Sequence, residues 1–119
     1  MAVNYMTSVN IATYDETITN IAFEYEDELS AIAVGNWIII PNNIKFISTQ
    51  LIFSGTAIAK VEYTCSPLAN ILADTAIANP SEAGMVSVNT FEKFDTVSAI
   101  RLNVVGYTSG TVKLQLRVQ

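Results

Sequence analysis

The chain has 119 residues, half of them hydrophobic and 14% charged, with 11 acidic against 6 basic side chains, one cysteine and no histidine. This composition excludes disorder, which needs low hydrophobicity and high charge, and a net charge of −5 excludes a partner held through nucleic-acid phosphates. Without imidazole there is no Ser–His or Cys–His nucleophile pair and no zinc site of the usual kind, and a lone thiol forms no internal disulfide.

A chain this long makes one domain that buries about two-thirds of the surface it exposes unfolded. Sparse charge and a mean hydropathy of +0.36 leave more apolar surface than a free monomer normally shows, so part of it is expected to be shared with a partner. The first residues lack the basic and long apolar regions of a signal peptide, and the longest strongly apolar run, Trp37-Ile38-Ile39-Ile40, is far too short for a membrane span. The expectation is a protein made in a cytoplasm, with neither membrane nor nucleic acid as partner.

Residues 1–14 mix polar and apolar side chains and read as an N-terminal arm or edge strand; residues 15–119 form the domain. Alternation over residues 17–27 marks a strand, with Ile21, Phe23 and Tyr25 on one face and Glu24, Glu26 and Glu28 on the other. Those carboxylates suit a solvated or partner-facing acidic edge that resists strand addition better than a Ca²⁺ site, because the run lacks the glycine turn of a calcium loop. Residues 28–33 read as a helical turn or irregular link, and Trp37 to Ile40 as a short strand closed by Pro41-Asn42-Asn43. Trp37, among isoleucines, reads as a core residue rather than a sugar platform. Residues 45–54 are apolar on both faces and should lie centrally in a sheet.

Residues 55–67 carry the clearest alternation, with Ala57, Ala59, Val61, Tyr63 and Cys65 on one face and Thr56, Lys60, Glu62 and Thr64 on the other. Cys65 thereby reads as a small core residue. The tight Ser54-Gly55 connection predicts an antiparallel hairpin with the preceding strand. Leu68, Ile71 and Leu72 fall at helical spacing, with Ser66 placed to cap and Pro67 at the first position, so one or two helical turns are predicted. A loop over residues 76–84 and a short strand over 85–89 follow. The end of the chain reads as a second hairpin: Ile100, Leu102 and Val104 alternate, a turn runs from Gly106 to Gly110, and Val112, Leu114, Leu116 and Val118 alternate again. Eight or so short strands with at most one short helix predict an all-β, antiparallel β-sandwich of jelly-roll or immunoglobulin-like architecture.

The five glycines are scattered, so no phosphate loop exists, and no acidic pair is singled out for sugar cleavage. No enzymatic activity, cofactor or metal is expected. The tyrosines read as sandwich core or interface anchors.

Tyr63-Thr64-Cys65-Ser66-Pro67, then Val97-Ser98-Ala99-Ile100-Arg101-Leu102, then Gly110-Thr111-Val112-Lys113-Leu114-Gln115-Leu116 and a terminal glutamine, resemble the C-terminal half of a group of small virion proteins of tailed bacteriophages. Ser98 stands where that group has threonine, and the intervening loop lacks its frequent tryptophan. The resemblance implies a β-sandwich structural protein without enzymatic activity. The expected role is a capsid decoration or cement protein on the outside of the head, with the major capsid protein and copies of itself, as a dimer or trimer, for partners. A tail-fibre or spike module binding a receptor or glycan, and a neck or tail-completion protein, are the alternatives. Under the cement reading the contact residues are Tyr5, Met6, Val9 and Tyr14 in the N-terminal segment and Leu68, Ile71, Leu72 and Ile77 around the helix, where apolar side chains combine with sparse charge.

Overall fold

The computed structural model describes residues 3–12, 19–42 and 44–119. In chain order the elements are β1 (Asn4–Tyr5), β2 (Thr7–Ala12), β3 (Thr19–Leu29), β4 (Ala33–Val34), β5 (Ile38–Ile39), β6 (Ile47–Phe53), β7 (Ala57–Thr64), α1 (Leu68–Leu72), β8 (Asn79–Pro80), β9 (Thr90–Phe94), β10 (Ala99–Tyr107) and β11 (Val112–Val118). A first sheet has the order β1-β5-β10-β7-β8, with β4 also on β10, and a second has the order β2-β3-β11-β6-β9. Every pairing is antiparallel except β1 with β5. The fold is an all-β sandwich with one short helix.

The core follows from alternation. Ile47, Leu51, Val112, Leu114, Leu116 and Val118 from the second sheet meet Ile38, Ala59, Val61, Ile100, Leu102 and Val104 from the first, all nearly or fully buried. β6 lies between β11 and β9, inside the sheet as expected, although its outer face carries the polar Ser48 and Gln50.

Neither predicted hairpin forms. β6 and β7 lie in different sheets, as do β10 and β11, and the pairs that form are β6 with β11 and β7 with β10. Alternation fixes which side chains face inward, but a chain that turns within a sheet and one that crosses to the opposite sheet satisfy it equally. The two crossings choose each other. Ser54 donates its N–H to Thr111 O at 3.0 Å, and Thr108 and Ser109 donate theirs to Thr56 O at 2.9 and 3.1 Å. Gly55 lies so close to the other crossing that a Cβ there would sit 2.4 Å from the Ser109 carbonyl oxygen. Gly110 has φ +78°, a conformation glycine adopts without strain.

Other expectations change with this topology. Of the arm or edge strand expected over residues 1–14, the described residues form edge strands, β1 on one sheet and β2 on the other. β3 is not an edge, since it pairs with both β2 and β11. Its acidic face is laddered to β11, with Glu24 Oε1 accepting from Arg117 Nη1 at 2.7 Å and Glu26 Oε2 from Gln115 Nε2 at 2.7 Å. Residues 85–89 form no strand beyond a bridge from Val86 to Ala59, and the strand of this region is β9, through the charged Glu92 and Lys93. Glu92 explains its place: its carboxylate accepts from Ser81 Oγ at 2.7 Å and from the Ala83 N–H at 3.2 Å, tying the loop after β8 to the other sheet.

Asp27, also on β3, faces inward. Its Oδ1 accepts the Glu28 N–H at 3.0 Å, while Oδ2 is buried without a partner in the space that a side chain at position 35 would need. Burial raises its pKa above the ordinary carboxylate value, the Glu28 hydrogen bond opposing.

Two tests follow. Gly55→Ala should lower stability by about 3 kcal/mol in urea denaturation, because the methyl meets backbone that cannot move aside. Because folding raises the Asp27 pKa, the stability it lends is complete below the unfolded-state value and is lost as pH rises through the folded one. Asp27→Asn, neutral throughout, should therefore melt above the parent at neutral pH, and the gap should close in acid.

Candidate partner-binding surface

One end of the first sheet's outer face carries a second, smaller apolar cluster. Trp37, Ile71 and Ala99 are its buried members, and Val3, Ile39, Ala76 and Ala78 pack against them. α1 and the loop after it form the lid. Pro67, at φ −58°, is the N-cap and starts the helix, so Ser66 does not cap it; Ser66 Oγ instead accepts the Ile77 N–H at 3.2 Å and folds the returning loop onto the helix start. Asp74, in the left-handed region at φ 60°, turns the chain out of the helix.

Beside this cluster the sheet buries a charge. Glu62, 6% exposed, accepts from Arg101 Nε at 2.8 Å and lies 3.4 Å from Lys60 Nζ. The Arg101 guanidinium also lies over the Trp37 ring, 4.2 Å from its centroid. Arg101 thus shares the buried carboxylate with Lys60 and also roofs the tryptophan. Glu62 and Thr64 are buried although they sit on the polar side of the alternation; Glu62 is flanked in register by Pro80 of β8 and by Arg101 of β10, which binds its carboxylate. The stretches 63–67 and 97–102 are neighbours here: Tyr63 and Thr64 are in register with Ile100 and Ala99, and the Ser98 N–H donates to Thr64 O at 2.8 Å.

Leu68, Leu72 and Ile77 stand out from the lid, 48, 43 and 72% exposed, and Tyr5 is 63% exposed. β1 pairs Tyr5 with Ile39, which places the tyrosine on this same outer face. Four of the expected contact residues are therefore brought to one face. Two are corrected. Ile71, 1% exposed, anchors the lid from beneath, since the helix turns that position inward; Met6, between the two edge strands, packs against the main core. Val9 lies in β2 in register with Ala22, and Tyr14 lies outside the described residues.

Next to the lid is a depression of about 560 Å³, lined by Ile39, Pro41, Cys65, Leu68 and Val97 among others. Cys65 is exposed, not a core residue. β7 stops at Thr64, so alternation no longer governs the next position, and the Ser66-Pro67 stop is the signal that marks this. Phe46, 70% exposed, reads as part of the next strand but precedes β6, held by its N–H to Gln119 O at 2.9 Å. Among the described residues no group of acidic or thiol side chains has an arrangement that would hold a metal ion.

Arg101→Ala should cost about 2 kcal/mol, because it removes the closer, hydrogen-bonded partner of a buried carboxylate and leaves only Lys60 beside it, and should shift the Trp37 emission to the red as its roof is lost. Equilibrium unfolding followed by tryptophan fluorescence reads both effects.

No protein-family model matches this sequence, and no curated protein matches it either.

Proposed function

We propose that this chain is a non-enzymatic structural protein of a tailed-phage particle, working as a decoration or cement protein that binds the outside of the major capsid protein lattice and stabilises the head. The observation that carries this reading is the apolar face formed by Tyr5, Leu68, Leu72 and Ile77 over the buried Trp37, Ile71 and Ala99. A soluble domain that leaves such side chains in water at one place gains when a partner covers them, each buried Leu or Ile contributing about 1.5–3 kcal/mol. The net charge of −5 would steer the same protein toward a basic patch on the lattice. A ligand that binds only the assembled shell stabilises it by mass action, and many copies sum their effect against internal DNA pressure. The resemblance of residues 63–67, 97–102 and 110–116 to small phage virion proteins points the same way.

The first experiment is the copy number and position of the chain in purified particles, by quantitative gel densitometry and imaging of labelled virions. Hundreds of copies over the head are expected; a few copies, or copies at the tail, would overturn the reading in favour of a neck or tail component. The surface itself is tested by the double variant Leu68→Ser, Ile77→Ser. It should keep the parent's melting temperature, because both side chains are exposed, and lose association with heads in a sedimentation assay.

A further inference from the structure

The second sheet's outer face is built differently, and we propose that it is a saccharide-binding groove selecting a neutral oligosaccharide. A depression of about 730 Å³ runs across it, lined by Thr7, Glu24, Glu26, Ser48, Gln50, Phe91, Gln115 and Arg117 among others. That is the size range of small-molecule sites.

The register sets the polar groups out in rows. Glu24, Arg117 and Ser48 lie side by side across β3, β11 and β6, with Thr7 beside Glu24 at one end and Lys93 beside Ser48 at the other; Glu26, Gln115, Gln50 and Phe91 form the next row. The second row is a directed hydrogen-bond chain, in which Gln50 Nε2 donates to Gln115 Oε1 and Gln115 Nε2 donates to Glu26 Oε2 at 2.7 Å. Lys113 Nζ stands 3.8 Å from the same Glu26 carboxylate, and in the first row Arg117 holds Glu24 at 2.7 Å. The hydrogen-bond chain and the two ion pairs therefore give both carboxylates of these rows a partner before any ligand arrives.

This pattern selects a ligand class. A charged ligand would have to compete with ion pairs already made, and an apolar one would leave the amides and carboxylates unsatisfied. A sugar hydroxyl donates and accepts at once, as the groove does. The chain uses one N–H of Gln50 and leaves its carbonyl oxygen and second N–H, Arg117 offers guanidinium N–H groups beyond the one that Glu24 accepts, and Ser48 and Thr7 add hydroxyls. At the end of the row Phe91, 60% exposed and in register with Gln50, gives an apolar plate for the C–H face of a ring.

The inference is independent of the proposal for the opposite face. It is tested on the full chain by amide-resolved NMR titration with maltotriose and with triacetylchitotriose at millimolar concentration, beside a glycan array. At least one probe or arrayed neutral glycan should bind, moving the side-chain amides of Gln50 and Gln115 and leaving the buried Trp37 indole unmoved. Phe91→Ala and Gln50→Ala should each weaken binding about tenfold or more without changing the melting temperature, whereas Ile77→Ser on the other face should bind as the parent does. Silence across the array with no shift for either trisaccharide would overturn the proposal. So would binding indifferent to Phe91 and Gln50, or protection of these amides by a second copy of the chain at rising protein concentration.

Discussion

Where the chain passes from β6 to β7 and again from β10 to β11, two crossings press backbone on backbone, and the sandwich is built outward from that contact. Both long registers start there: Phe53 faces Val112 in one sheet and Ala57 faces Tyr107 in the other. A shift of one residue at either crossing would turn a whole strand inside out, since side chains alternate along it. Ser54 and Thr111 hydroxyls at 2.9 Å and the N–H of Thr111 on Ser54 Oγ at 2.8 Å hold that start. The irregularity in β10 between Val104 and Gly106 belongs to the same device. It brings Tyr107 to the inner face, where its ring joins the core and its hydroxyl donates to Gly110 O at 3.0 Å. A bulge that re-aims one side chain thereby ties the second crossing to the hydrophobic interior.

Charge is distributed to suit this architecture. Among the described residues Lys60, Arg101, Lys113 and Arg117 are in ion pairs across or along strands. On the first sheet the pairing is buried and supports packing, because Glu62 is covered and Arg101 lies on Trp37. On the second it is exposed, and each such pair contributes at most about 1 kcal/mol. Its effect there is to hold side chains in place. The net acidity of the molecule is left to carboxylates outside these pairs, so its long-range field and its local contacts can be altered separately.

The fold class was legible in the sequence because inner faces are written by alternation, as in Val112, Leu114, Leu116 and Val118. The partners of each strand were not. A crossing between sheets and a turn within one both want a small flexible loop, and the residues that decide between them, Ser54-Gly55-Thr56 against Thr108 to Thr111, meet only in three dimensions. β9 was hidden because its charges fall on both faces, Lys93 beside Ser48 and Glu92 beside Thr49, and Glu92 gives its carboxylate to the loop at Ser81 and Ala83, which no periodicity records. Of the exposed apolar face, sparse charge around Leu68, Leu72 and Ile77 was visible, whereas the inward turn of Ile71 depended on how the lid lies on Trp37. The groove on the second sheet was spread over five strands, with Phe91 on the one that was missed, and nothing local in the chain joins its parts.

The two outer faces of a sandwich point in opposite directions, separated by a core about 10 Å thick. A protein held by Tyr5 and the α1 lid would present the β2-β3-β11-β6-β9 face away from whatever it is held by. An apolar patch is suited to the first task, because it is covered once and stays covered; a polar row with its carboxylate already paired and an aromatic at its end is suited to the second, because it tolerates water until a ligand displaces it. The rigid link between them is the crossing at Gly55 and Gly110, which fixes the spacing and mutual orientation of the sheets. Docking on one face then fixes the direction of the other, and many copies on a shell would show their grooves outward in a common orientation, where weak single-site binding of a repeated surface sugar gains from multivalency.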